Sequence, residues 1–247
     1  MLLQDKTAVI YGGGGNVGGA VARAFAREGA RVCLAGRTAE SLERVAADVR
    51  SAGGIAETAV VDALDPAAVE RHADSVGRID ISFNLTSTRD VQGTPMMEMD
   101  VEDYLRPVEA VVRTHFITTK AAARLMKEQG SGVLLFFGGS GEPVRDYSIG
   151  GLQTAFEALE SMRRQLGSEL GRYGVRTVTL RTGGVIDSIP ADYEGRDALV
   201  ASLEEPTMLG RGARLEDVGN VAAFVASDRA RTMTAATVNV SAGTLID

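Results

Sequence analysis

The sequence predicts a doubly wound α/β domain, and three observations predict it. Seven short apolar runs alternate along the 247 residues with longer segments whose apolar residues recur every three or four positions. The runs are rich in Val, Ile, Leu and Phe, the pattern of parallel strands covered on both faces. A glycine-packed turn at residues 12–15 joins the first run to the first helical segment. Right-handed crossovers between such strands leave helices on both sides of one sheet.

The elements follow in order. Ala8–Tyr11 is the first strand and Val17–Glu28 the first helix, with Gly29 placed where a left-handed residue stops a helix. Arg31–Ala35 is the second strand. Thr38 precedes helix Ala39–Ser51 as an N-cap, with Glu40 as an early acid and Gly53-Gly54 beyond its end. Glu57–Val61 is the third strand, and Asp65 and Pro66 suit the N-cap and first position of helix Pro66–Ser75. Ile79–Asn84, Val133–Phe137, Arg176–Arg181 and Thr237–Val240 complete the strands. Val108–Glu128, Gly151–Gly171 and Leu215–Ser227 complete the helices. Gln92–Asp100 and Ser188–Pro206 read as loop-rich insertions, and such loops often cover a site. No linker interrupts the pattern, so one domain spans 1–247.

Composition narrows the function. Hydrophobic residues at 45% and charged residues at 24% suit a globular protein. A net charge of -7 argues against nucleic acid as a partner, because phosphate backbones select an excess of Lys and Arg. No apolar run reaches the roughly 18 residues of a membrane span, and no signal-peptide layout appears, so a cytoplasmic protein is expected. The lone cysteine, Cys33, sits in an apolar run and reads as a small buried hydrophobe. His72 and His115 are too far apart for a metal motif, so no metal is expected.

The segment Gly12-Gly13-Gly14-Gly15-Asn16-Val17-Gly18 carries the first chemistry. Glycines let backbone N–H groups approach a pyrophosphate without side-chain obstruction, and the following helix adds its dipole. After the second strand, an acid would bind the ribose hydroxyls of NAD. Arg37 stands there instead, and a planar cation suits the 2′-phosphate of NADP(H), leaving NAD(H) as the less favoured cofactor. Asp62, after the third strand, is placed to accept from an adenine amino group. Asn84 ends the fourth strand, where its amide can tie adjacent strand ends together.

These residues resemble the short-chain dehydrogenases/reductases over nearly the whole chain. Tyr11-Gly12-Gly13-Gly14-Gly15-Asn16-Val17-Gly18 is similar to the family's Thr-Gly-x-x-x-Gly-x-Gly turn, with Tyr11 for the threonine and Asn16 for the middle glycine. Asp62, the strand running into Asn84, Gly174-Val175-Arg176 and Asn239-Val-Ser-Ala-Gly243 also resemble the family. The resemblance implies a Rossmann-type, seven-stranded parallel sheet, a small-molecule substrate and a homo-oligomer, tetramer or dimer.

The family's catalytic set does not carry over. The resemblance implies a Tyr that protonates the substrate oxygen and a Lys four residues on that lowers its pKa. Ungapped counting puts Leu152 and Phe156 there, and Ser131–Leu180 contains no Lys. Gly139 falls at the family's Ser, with Ser140 beside it, and Val111 at its Asn, with His115 a turn later. The candidate catalytic groups are therefore Tyr147 as a displaced proton donor, Ser140 as a donor to the substrate oxygen, and His115. Ser188 is a candidate contact for the nicotinamide amide. The expected function is an NADP(H)-binding oxidoreductase with a nonstandard active site, acting on a small carbonyl or enone. The alternatives are a catalytically silent nucleotide-binding protein and a repurposed lyase or isomerase with structural NADP.

Overall fold

A computed structural model describes residues 1–139 and 147–246. Seven strands form one parallel sheet: β1 (Thr7–Tyr11), β2 (Arg31–Gly36), β3 (Ile55–Val60), β4 (Ile81–Asn84), β5 (Gly132–Gly138), β6 (Val175–Arg181) and β7 (Ala236–Asn239). Their order across the sheet is β3-β2-β1-β4-β5-β6-β7, every pair parallel. The direction of travel reverses between β1 and β4, where Tyr11 lies opposite Asn84. Ligands of such sheets bind outside the strand C-termini at this reversal.

The helices are α1 (Asn16–Arg27), α2 (Ala39–Ser51), α3 (Pro66–Val76), α4 (Val101–Gln129), α5 (Leu152–Leu170), α6 (Arg196–Glu204) and α7 (Leu215–Ala226). α1 packs between α2 and α7 on one face, and α4 between α3 and α5 on the other. Alternation along each strand feeds two cores. Ala8, Ile10, Val32 and Leu34 enter one, while Val9, Tyr11, Cys33 and Ala35 enter the other. Because both faces are covered, the inner strands read as unbroken apolar runs. Cys33 is buried, and burial pushes its thiol up to about 11, as a packing residue rather than a nucleophile.

Local signals account for most boundaries. Asp65 accepts from the Ala67 and Ala68 amides at 2.9 and 3.1 Å, with Pro66 opening α3. Thr38 occupies the N-cap of α2 without a side-chain cap, and the Ser41 hydroxyl bonds back to its carbonyl at 2.9 Å.

Three expectations need correction. α4 begins at Val101, seven residues ahead of the expected Val108, and continues through Pro107. Its early turns are held by docking: Tyr104 shares a 2.7 Å hydrogen bond with Thr154, and its carbonyl rests on Gly151, where a Cβ would collide. The 188–206 stretch, expected to be loop-rich, contains α6. That helix buries no residue fully, so it leaves little apolar periodicity to read. β4 starts at Ile81 rather than Ile79, because the Asp80 carboxylate, not a strand carbonyl, takes the Thr7 amide at 2.9 Å.

Candidate active site

The turn after β1 is built by close approach. Gly12 and Gly13 donate to the Ala35 carbonyl at 2.8 and 3.2 Å, and Gly15 donates to Gly12 at 3.1 Å. Gly12 has φ +78°, and a Cβ there would press into the Leu85 carbonyl. Gly18, one turn into α1, lies against the Gly12 carbonyl with no room for a Cβ. The turn is thereby wedged between the loop after β4 and its own helix, and no side chain caps the N-terminal amides of α1.

A cleft of about 270 Å³ opens over this turn. Gly12, Gly14 and Gly15 form its floor, Arg37 and Ser41 one side, Asp62 its far end, and Thr86 and Arg89 the other side. Arg37 is exposed, and its guanidinium makes no hydrogen bond or ion pair with a described residue. Asp62 holds the Leu64 amide at 3.0 Å through one carboxylate oxygen. An open glycine floor, a planar cation and a carboxylate at one end fit a nicotinamide dinucleotide.

The other candidate cofactor residues sit around the cleft rather than in it. Asn16 turns its amide away, donating to the Ser188 carbonyl at 3.2 Å. Asn16 and Ser188 thus meet each other and tie the glycine turn to the segment after β6. The Ser188 hydroxyl bonds the Val185 carbonyl at 2.7 Å. Val17 packs against the core. Asn84 is buried: its amide nitrogen donates to Thr118 Oγ1 at 3.1 Å, and its oxygen accepts from the Thr86 amide and hydroxyl at 3.0 and 2.8 Å. It ties β4 to α4, not strand to strand as expected, and it presents Thr86 and Thr114 to the cleft.

The candidate catalytic groups differ in their surroundings. Ser140 lies outside the described residues. His115 is 4% exposed, with Nδ1 2.8 Å from the Val111 carbonyl and its ring stacked on Phe136. Its Nε2 has no hydrogen-bond partner of good geometry among the described residues, although the nearby Asn84 carbonyl weakly favours the charged ring. Burial dominates and lowers its pKa to about 4, so at neutral pH it is an uncharged packing group.

Tyr147 is 43% exposed, with its ring near Gly93. Partial burial raises its pKa, and the neighbouring Tyr193 and Asp90 add to the rise. At the end of β5 the surface is apolar. The Phe156 ring lies against Gly138 and Gly139, so close that a Cβ on Gly139 would come within 2.8 Å of it. Leu152 is buried at the start of α5.

Sequence reasoning missed Arg89, Thr86 and Thr114, which line the cleft. The threonines carried a usable signal, since Thr114 and Thr118 stand one helical turn apart on the face toward Asn84. Arg89 lies in an aperiodic loop and carried none.

Comparison with known proteins accords with this geometry. A family profile described as enoyl-(acyl carrier protein) reductase matches residues 14–244. The chain belongs to the short-chain dehydrogenase/reductase family. It is 29% identical to the L-rhamnose 1-dehydrogenase (NAD(P)+) of Azotobacter vinelandii, covering 100% of this chain and 99% of that one. It is 30% identical to the sorbitol dehydrogenase of Cereibacter sphaeroides, covering 98% of each chain. Among solved structures, a short-chain type dehydrogenase/reductase from Mycobacterium ulcerans superposes with a TM-score of 0.88 at 26% identity, covering 99% of this chain and 91% of that one. Family members are oxidoreductases that use nicotinamide cofactors on small molecules. Among the described residues, no helix is long and apolar enough to cross a membrane.

Proposed function

We propose that the protein is an NADP(H)-dependent oxidoreductase of small carbonyl or enone compounds, working without the family's usual Tyr-Lys pair. The observation that carries the cofactor choice is Arg37, an unpaired guanidinium on the wall of the cleft beside the glycine floor. The Gly14 amide and those opening α1 would hold the pyrophosphate, Arg37 the 2′-phosphate and Asp62 the adenine amino group. When bound, the nicotinamide supplies or accepts hydride.

The proton is the part this chain must provide. Tyr147 is the phenol we assign to this role: it is partly exposed beside Gly93, and a phenol is protonated at neutral pH, as a donor requires. A positioned general acid adds roughly 10²–10⁴-fold, and orientation alone can sustain slower turnover. Phe156 against Gly138-Gly139 supports a second reading, a nucleotide-binding protein without turnover, since an apolar ring occupies the end of β5.

The test is a calorimetric titration of the full chain with NADPH and NADH, wild type against Arg37→Asp. The wild type is expected to prefer NADPH, and R37D to lose that preference. An unchanged preference in R37D would defeat the assignment of Arg37.

A further inference from the structure

The cleft has a second arginine, and its placement differs from that of Arg37. The sheet order β2-β1-β4 puts the glycine turn between the ends of β2 and β4. Arg37 leaves β2 on one side of the turn, and Arg89 follows β4 on the other. The segment carrying Arg89 is anchored at its root. Leu85 donates its amide to Tyr11 at 2.8 Å, its carbonyl rests on Gly12, and Thr86 is held by Asn84.

Arg89 is exposed, and its guanidinium makes no hydrogen bond or ion pair with a described residue. The adjacent carboxylate, Asp90, is already engaged by the Thr88 hydroxyl and the Gln92 amide. The Arg89 backbone has φ +57°, a left-handed conformation that long side chains rarely adopt, and its amide donates to Ser87 Oγ at 3.3 Å. Strain of this kind persists where the surroundings impose it, and it concentrates at ligand clamps.

We propose that Arg89 is a second cationic contact for the dinucleotide, meeting its pyrophosphate from the side opposite Arg37. Backbone amides of the turn approach the phosphates from below, and the Arg89 guanidinium approaches them from the β4 side. A 2′-phosphate beside Arg37 lies on the far side of β1 from Arg89, so the charge Arg89 meets is the one common to both cofactors. Arg37 then sets the choice between NADPH and NADH, and Arg89 tightens both. The inference rests on the cleft being a dinucleotide site.

The test titrates the full chain with NADPH and NADH separately, comparing wild type, Arg89→Asn and Arg89→Gly. Both replacements tolerate a positive φ, so neither adds backbone strain, and the second serves if the first fails to fold. Loss of one charge-assisted contact is expected to weaken both cofactors about ten- to a hundredfold and to leave their ratio unchanged. Unaltered affinity in the variants would overturn the contact. Weakening confined to NADPH would move Arg89 to the 2′-phosphate and overturn its assignment to the pyrophosphate. A wild type that binds neither cofactor would overturn this inference together with the reading of the cleft; a wild type that binds while the variants match it would overturn this inference alone.

Discussion

Acidification should unfold this protein partly through His115. The ring is buried, stacked on Phe136, with its lowered pKa of about 4 against an ordinary 6.5. Above pH 6.5 it is neutral in both the folded and the unfolded chain, and its contribution to stability is fully present. Between 6.5 and 4 the unfolded chain takes up a proton that the folded chain refuses, so stability falls as pH falls. Below 4 both forms are protonated and the loss levels off. Two and a half pH units at about 1.4 kcal/mol each amount to on the order of 3 kcal/mol. Urea unfolding followed by circular dichroism at pH 7, 5.5 and 4.5 measures it, in wild type and in His115→Gln. Carboxylates elsewhere respond equally in both proteins, so the difference in their pH slopes isolates the ring. The variant is expected to be less stable at pH 7 but to lose about 2.5 kcal/mol less between pH 7 and pH 4.5. Equal losses would refute the reasoning. So would a break in the pH–rate profile near 6.5 that vanishes in the variant, since it would make His115 an acid or base.

Two other perturbations probe the site. Tyr147→Phe should lower kcat about 10²–10⁴-fold with cofactor affinity intact; unchanged steady-state turnover would remove the phenol from the mechanism. Gly12→Ala adds a methyl group against the Leu85 carbonyl at φ +78°, and should cost about 1–3 kcal/mol and weaken NADPH binding. Thermal melting and calorimetry would both have to match wild type for the close approach to be dispensable.

The strands were legible because burial on both faces leaves unbroken runs such as Ala8–Tyr11 and Val133–Phe137, and the structure moves their ends by no more than two residues. The helices with one buried face, α1 and α2, were legible by period. α6, which buries nothing fully, was not, and Pro107 marked a boundary that docking against Gly151 and Thr154 overrides.

The sequence by itself determined the sheet, the glycine turn at the end of β1, the cation after β2 and the absence of a lysine across Ser131–Leu180. These are local facts, carried by spacing and residue type. The tertiary structure alone decided that Asn84 is consumed by Thr118 and Thr86, that His115 is uncharged in the core, and that Asn16 reaches Ser188. It also brought Arg89 to the cleft that holds Arg37. These depend on partners far apart in sequence, 34 residues for Asn84 and Thr118 and 172 for Asn16 and Ser188, or on exclusion from water by a whole layer of packing. Neither distance in space nor burial has a signature within a single window of sequence.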